Sequence, residues 1–181
     1  LKNELNITLE NKFILNKSDY KENKIYDLNI LNEILEVYPN EFIYELQLLK
    51  VLLSKILDNL LITNPRKEYW IKDGIQTYML IEYVNKKYPS ITLAGNLSKF
   101  PGLKSLYASK LKYNEKYFLS ITHMDRINNT QSLETPKDSL LKFNEKIANK
   151  HKSGLLLQNL LPEDRKSDFS NIIKNTLKLK K

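Results

Sequence analysis

The chain has no cysteine, so it carries neither a disulfide framework nor a thiolate metal site. Four glycines in 181 residues are few. They argue against a barrel or sandwich with many tight turns, and against a glycine-rich phosphate loop. Long hydrophobic runs are missing too. The longest, Leu46 to Ile62, is broken by Gln47, Lys50, Lys55 and Asp58 and is no membrane span. The first ten residues already contain Lys2, Glu4 and Glu10, so the start does not read as a signal peptide. These absences leave the compartment open. The start at Leu1 rather than methionine carries the expectation that the chain is cut from a longer protein. What is present, 41% apolar and 28% charged residues, is ordinary for a folded domain, and helix is the expected state.

Arginine is also scarce. The net charge is +8, and from Thr135 onward 11 basic against 5 acidic residues place +6 of it in the last 47 positions. The tail ends Leu177-Lys178-Leu179-Lys180-Lys181 and would suit phosphate. Yet Arg66 and Arg126 are the only arginines in the first 130 residues, whereas nucleic-acid readers lean on arginine and clustered aromatics. No nucleic-acid partner is expected; a peptide or protein stays open as a partner, as does the remainder of a longer chain.

Ile7, Leu9, Phe13 and Leu15 suggest a short N-terminal strand or extended arm, and polar residues Asn16 to Lys24 a loop. Leu28, Leu31, Ile34 and Leu35 follow helical spacing up to Tyr38-Pro39. Phe42, Leu46, Leu49, Leu53, Ile56 and Leu60 recur at three and four, predicting a helix central to the core. Asn64 and Pro65 read as N-cap and first residue of a helix ending near Tyr88. Joined by a short connector, these two helices should pack antiparallel. A turn follows at Phe100-Pro101-Gly102, then a helix over about 114–128. Thr135-Pro136-Lys137-Asp138 has the form of a capping box opening a helix with Leu140, Leu141, Phe143 and Ile147 as its apolar side. Shorter helical segments are expected over 155–161 and 169–177.

Within the second long helix, Trp70-Ile71-Lys72-Asp73-Gly74-Ile75-Gln76-Thr77-Tyr78 resembles the Trp-x-x-Glu-Gly-x-x-x-Tyr stretch of the alanyl-aminopeptidase family of gluzincin zinc metallopeptidases. The longer string from Pro65 to Gln76 looks most like a divergent bacterial branch of that family, and the similar region covers roughly residues 40–160. The resemblance implies the helical, C-terminal part of a thermolysin-like (gluzincin) catalytic domain with aminopeptidase chemistry. It puts Asp73 at the place of the glutamate that is the third zinc ligand. It makes Trp70, Gly74 and Tyr78 a structural motif, with Gly74 a point of close helix approach. In the family a His-Glu-x-x-His helix supplies two imidazoles and a general base to the metal.

This chain departs from that pattern. It has two histidines, His123 and His151, and neither precedes Asp73. The family's usual spacing puts Lys50-Val51-Leu52-Leu53-Ser54 where the zinc motif belongs. Sliding to Tyr44-Glu45-Leu46-Gln47-Leu48 recovers Glu45 alone, as a relic general base. No tyrosine follows Tyr117 to polarise a scissile carbonyl.

Each acid has a plain reading beside the functional one: Asp73 as a helix acid paired with Lys72 or Lys67, Glu45 as a polar edge residue. Trp70, Tyr78 and Ile81 read as packing against the preceding helix. His123 and Asp125, two apart on a helix, do not face each other. His151, between Lys150 and Lys152, reads as a helix-end cation.

The expected organisation is an arm over 1–25 and a mainly α domain over 26–181, with a basic tail from about 165. The function implied is a metallopeptidase-like domain or fragment with a degenerate site; the alternatives are a non-catalytic helical domain that binds peptide or protein or is structural and, ranked last, a basic nucleic-acid-binding module. No cofactor is expected from this chain alone, and zinc only if the site is completed or retained.

Overall fold

A computed structural model describes residues 14–25, 36–102 and 109–161. Its regular elements are helices: α1 (Lys17–Glu22), α2 (Asn40–Leu60), α3 (Tyr69–Lys87), α4 (Glu115–Arg126) and α5 (Asn149–Leu160). A π-turn, Asn144–Ala148, leads directly into α5, so residues 142–160 form one helical run. Among the described residues, extended backbone pairs only at an isolated antiparallel bridge between Thr92 and Lys112. The class is mainly α. Most of the strand expected over Leu5 to Leu15, the tail from about 165 with the segment expected over 169–177, and most of the helix expected from Leu28 lie outside the described residues.

Helices α2 and α3 are antiparallel. Glu45, near the start of α2, bonds Tyr83 and Lys87 near the end of α3, while Asp58 at the other end of α2 meets Lys72. Phe42, Leu46, Leu49, Leu53, Ile56 and Leu60 are all buried, so the stripe at three and four is the inner face of α2. The central helix, however, is α3 and not α2, because every residue from Gly74 to Val84 is buried. Helix α2 covers one side of α3 and α5 another. Tyr38, Phe42, Tyr88 and Tyr113 close one end of the core with ring centroids 5.0–5.6 Å apart, mostly edge to face.

The α3–α5 contact is unusually close. Contacts of Tyr69 with Asn149, Asp73 with Lys150, and Thr77 with Gly154 advance together along both helices, which therefore run parallel. A Cβ on Gly154 would stand 2.4 Å from Thr77 Cγ2, and one on Gly74 would stand 3.1 Å from Ser153 Cβ. Gly74 is thus a close-approach point, but toward α5 rather than the preceding helix. Of the three large residues assigned to packing there, Tyr78 and Ile81 are buried and Trp70 is half-buried.

Four local expectations are corrected. Residues 17–22 are helix and not loop, because Asp19 accepts the Asn16 amide at 2.6 Å and its own amide bonds the Asn16 carbonyl. At Asn64 the side chain accepts the amides of Arg66 and Lys67, as an N-cap does, but the regular helix starts only at Tyr69, after a turn. Asp138 caps no long helix: it is drawn across to Arg66, at 2.9 Å from Nε and 2.7 Å from one terminal nitrogen, and residues 137–139 form a single 3-10 turn. Leu141 and Phe143 are exposed, and the buried side of the 142–160 run is Asn144, Ala148, Asn149, Ser153 and Gly154. Its asparagines are satisfied, Asn144 by the Asn129 carbonyl and Gln131, Asn149 by Tyr69 and the Ser132 carbonyl.

Candidate ligand-binding cleft and the two acids

Asp73 lies in the first third of α3, where the helix turns toward α5. Its carboxylate is 16% exposed and faces the Lys150 ammonium at 3.6 Å. The pairing expected with Lys72 or Lys67 is not the one observed, since Lys72 is held by Asp58 across the α2–α3 pair. The cross-helix partners 45–83, 50–76 and 58–72 set the register of α2 on α3. That register places residue 73 opposite positions near 53–57, so only the end of Lys50 to Ser54 comes level with Asp73. Lys50 sends its ammonium to the Lys24 carbonyl, and Ser54 bonds Asp58.

Glu45 sits elsewhere. It accepts Tyr83 at 2.8 Å, Tyr88 at 2.6 Å and Lys87 at 2.5 Å. Partial burial pushes its carboxyl up, but the Lys87 ammonium and the two phenols outweigh that and hold it below the ordinary glutamate value. Burial and the bonded carboxylate raise both phenols, Tyr88 to about 12. Its partner Tyr83 is ten residues beyond Asp73 on α3, about 15 Å along the axis at 1.5 Å per residue. The structure does not bring Glu45 and Asp73 into one site. Glu45 clamps the start of α2 to the end of α3, and three donors on one carboxylate leave it a poor proton acceptor. Among the described residues no three His, Cys, Asp or Glu side chains gather to hold a metal ion.

The histidines take separate places. His123 is exposed, its ring 6.4 Å from Phe143, and Asp125 is bonded to Thr130. His151 is no helix-end cation: it lies inside the 142–160 run, edge-on to Tyr117, with Nδ1 2.6 Å from Ser120 Oγ. The Ser120 hydroxyl donates to the Tyr117 carbonyl at 2.9 Å. The Ser120 hydroxyl thus has two neighbours, the Tyr117 carbonyl and His151 Nδ1.

His151 opens onto a cleft of about 340 Å³ between α2, α3, α4 and the 142–160 run. Lys24, Lys50, Lys116, Lys146 and Lys150 line it with His151, and no Asp or Glu is among its described lining residues. Its apolar walls come from Ile25, Leu46, Leu80, Leu93 and Ile147. Lys116 rests 3.8 Å from the centre of the Tyr113 ring, which orients its ammonium. These cations come from segments far apart in the chain, so no linear motif announces them. The volume is near the small end of the range for ligand sites. Chemically, an apolar hollow with an ammonium rim suits an anion attached to an apolar group.

No protein-family model, curated protein or solved structure matches the chain.

Proposed function

We propose that the chain is a helical domain of gluzincin aminopeptidase descent that binds peptide segments in the lysine-lined cleft without hydrolysing them. One observation carries the reading: Asp73, at the family's ligand position, faces an internal cation, Lys150, which also lines the cleft. An ammonium supplies there the positive charge that a metal would, and it cannot polarise a water as a metal does. The Trp70, Gly74 and Tyr78 pattern on a helix paired with a long apolar helix supports the descent. Glu45, locked by three donors, supports the loss of base chemistry.

The test is to incubate the chain, with and without added zinc, with a mixture of short peptides, and to analyse bound and free fractions by mass spectrometry. Retained, uncut peptides are expected. Products shortened from the N-terminus, absent in an Asp73→Ala variant, would refute the reading.

A further inference from the structure

We infer that the floor of the cleft reads an uncharged amide of the bound peptide, with Gln76 Oε1 accepting its N–H and the Thr77 hydroxyl donating to its carbonyl. This rests on the peptide-binding reading and specifies its ligand. Gln76 and Thr77 line the cleft although they are only 4% and 6% exposed. Gln76 donates Nε2 to the Lys50 carbonyl at 2.8 Å, which fixes the orientation of its amide and leaves Oε1 as the other end. Among the described residues neither Gln76 Oε1 nor the Thr77 hydroxyl has a hydrogen-bond partner. The fully enclosed side-chain polar atom that lacks a partner there is Asn114 Oδ1 and neither of these two. Both atoms are therefore reached from outside, and the cleft is the opening that their residues share.

An amide oxygen takes only a donor, so Gln76 Oε1 rejects a carboxylate or an ester oxygen, whereas a hydroxyl donates and accepts. Gln76 is bonded toward α2, and Thr77 packs against Gly154 of α5. Side by side on α3 they offer one acceptor and one donor across the floor. An amide, with N–H and C=O in one plane, is the peptide group that answers both. Buried Leu46 and Leu80 line the same space and suit the apolar stem or neighbour that carries it. A ligand without the N–H would cover Oε1 and leave it unpaired, so the floor discriminates against it. The rim lysines have partners of their own, Lys150 in Asp73 and Lys50 in the Lys24 carbonyl, and the selection lies with the neutral floor. The amide has two sources in a peptide, an Asn or Gln side chain or the main chain.

The test is fluorescence anisotropy with two N-terminally labelled hexapeptides, Gly-Ser-Leu-Gln-Leu-Ser and Gly-Ser-Leu-Met-Leu-Ser, titrated with wild type and with Thr77→Val. Wild type should bind the Gln peptide at least roughly tenfold tighter than Thr77→Val does. Rising salt should leave that ratio unchanged, because no charge takes part. The Met peptide names the source, and either result supports the inference. An equal loss in Thr77→Val assigns the main-chain amide. A wild-type affinity already as weak as that of Thr77→Val for the Gln peptide assigns the side chain. Since the Thr77 hydroxyl makes no internal bond, Thr77→Val should unfold at no lower denaturant concentration than wild type. Gln76→Met, checked as folded by circular dichroism, should weaken binding as well. A Thr77→Val protein less stable than wild type would reveal an internal role for the hydroxyl and overturn the inference. Undiminished binding by Gln76→Met overturns it too. Equal affinity of wild type and Thr77→Val for both peptides overturns it and leaves the peptide-binding reading standing. No binding of either peptide by wild type overturns both.

Discussion

Replacing Gly154 by alanine isolates what holds α5 to α3. The new Cβ would lie 2.4 Å from Thr77 Cγ2 and 2.6 Å from Thr77 Cβ, against about 3.5–4.0 Å for ordinary carbon contact. Thr77 is buried, β-branched and mid-helix, so its rotamer offers little escape. The helices must part by about an ångström, loosening the contacts of Gly74, Ser153 and Leu157. Overpacking of this kind costs about 3 kcal/mol at the upper end of its usual range. Alanine returns about 1 kcal/mol of helix propensity. The net loss is about 2 kcal/mol, a fall in Tm of about 4–8 °C for a chain of this size. Gly74→Ala has the same propensity gain but meets its neighbours at 3.1–3.2 Å, so it should stay within about 1 kcal/mol of wild type. Chemical denaturation with a circular dichroism readout measures both. A Gly154→Ala protein as stable as wild type would refute the close-packing account.

Glu45→Gln should cost about 1–2 kcal/mol at neutral pH, since one charge-assisted bond is lost from a partly exposed cluster. Because the Glu45 pKa is lowered on folding, its contribution is present above the unfolded value of 4.5 and is lost as pH falls through the folded one. Urea denaturation of variant and wild type should therefore converge in acid. A gap that persists unchanged at pH 3 would contradict the clamp. At the alkaline side Tyr88, raised to about 12, contributes fully below its unfolded value near 10 and loses that contribution as pH rises through 12. Tyr88→Phe should accordingly flatten the alkaline limb of the stability profile. Arg66→Ala removes an exposed pair with Asp138 and should cost about 1 kcal/mol or less by the same denaturation assay. A much larger loss would make the 64–68 turn a cornerstone of the fold.

Periodicity made α2 and α3 legible because a buried aliphatic stripe is what helical spacing reports. It failed on α5 because the buried side of that helix is small and polar. Asn144, Asn149, Ser153 and Gly154 go inside through satisfied amides and close backbone approach, while Leu141 and Phe143 stay out. The enclosure of α3 was hidden for a similar reason. Gln76, Thr77 and Glu82 look like a solvated face, yet all three are buried, and Gln76 is satisfied by the Lys50 carbonyl. Capping patterns do not fix helix boundaries. Asn64 makes its bonds before a turn, and Asp138 prefers Arg66 to a helix terminus. Asp73 stood out in the sequence, but its partner Lys150 is 77 positions away, and the cleft is assembled from lysines scattered between residues 24 and 150. Only the fold brings them together.

Asp73 faces the Lys150 ammonium at 3.6 Å, and the proposed function has it bind no metal. Elemental analysis of the purified chain, after loading with zinc and desalting, tests it most directly. The account predicts zinc far below one equivalent, unchanged in Asp73→Ala. One equivalent in wild type, lost in Asp73→Ala, would contradict it.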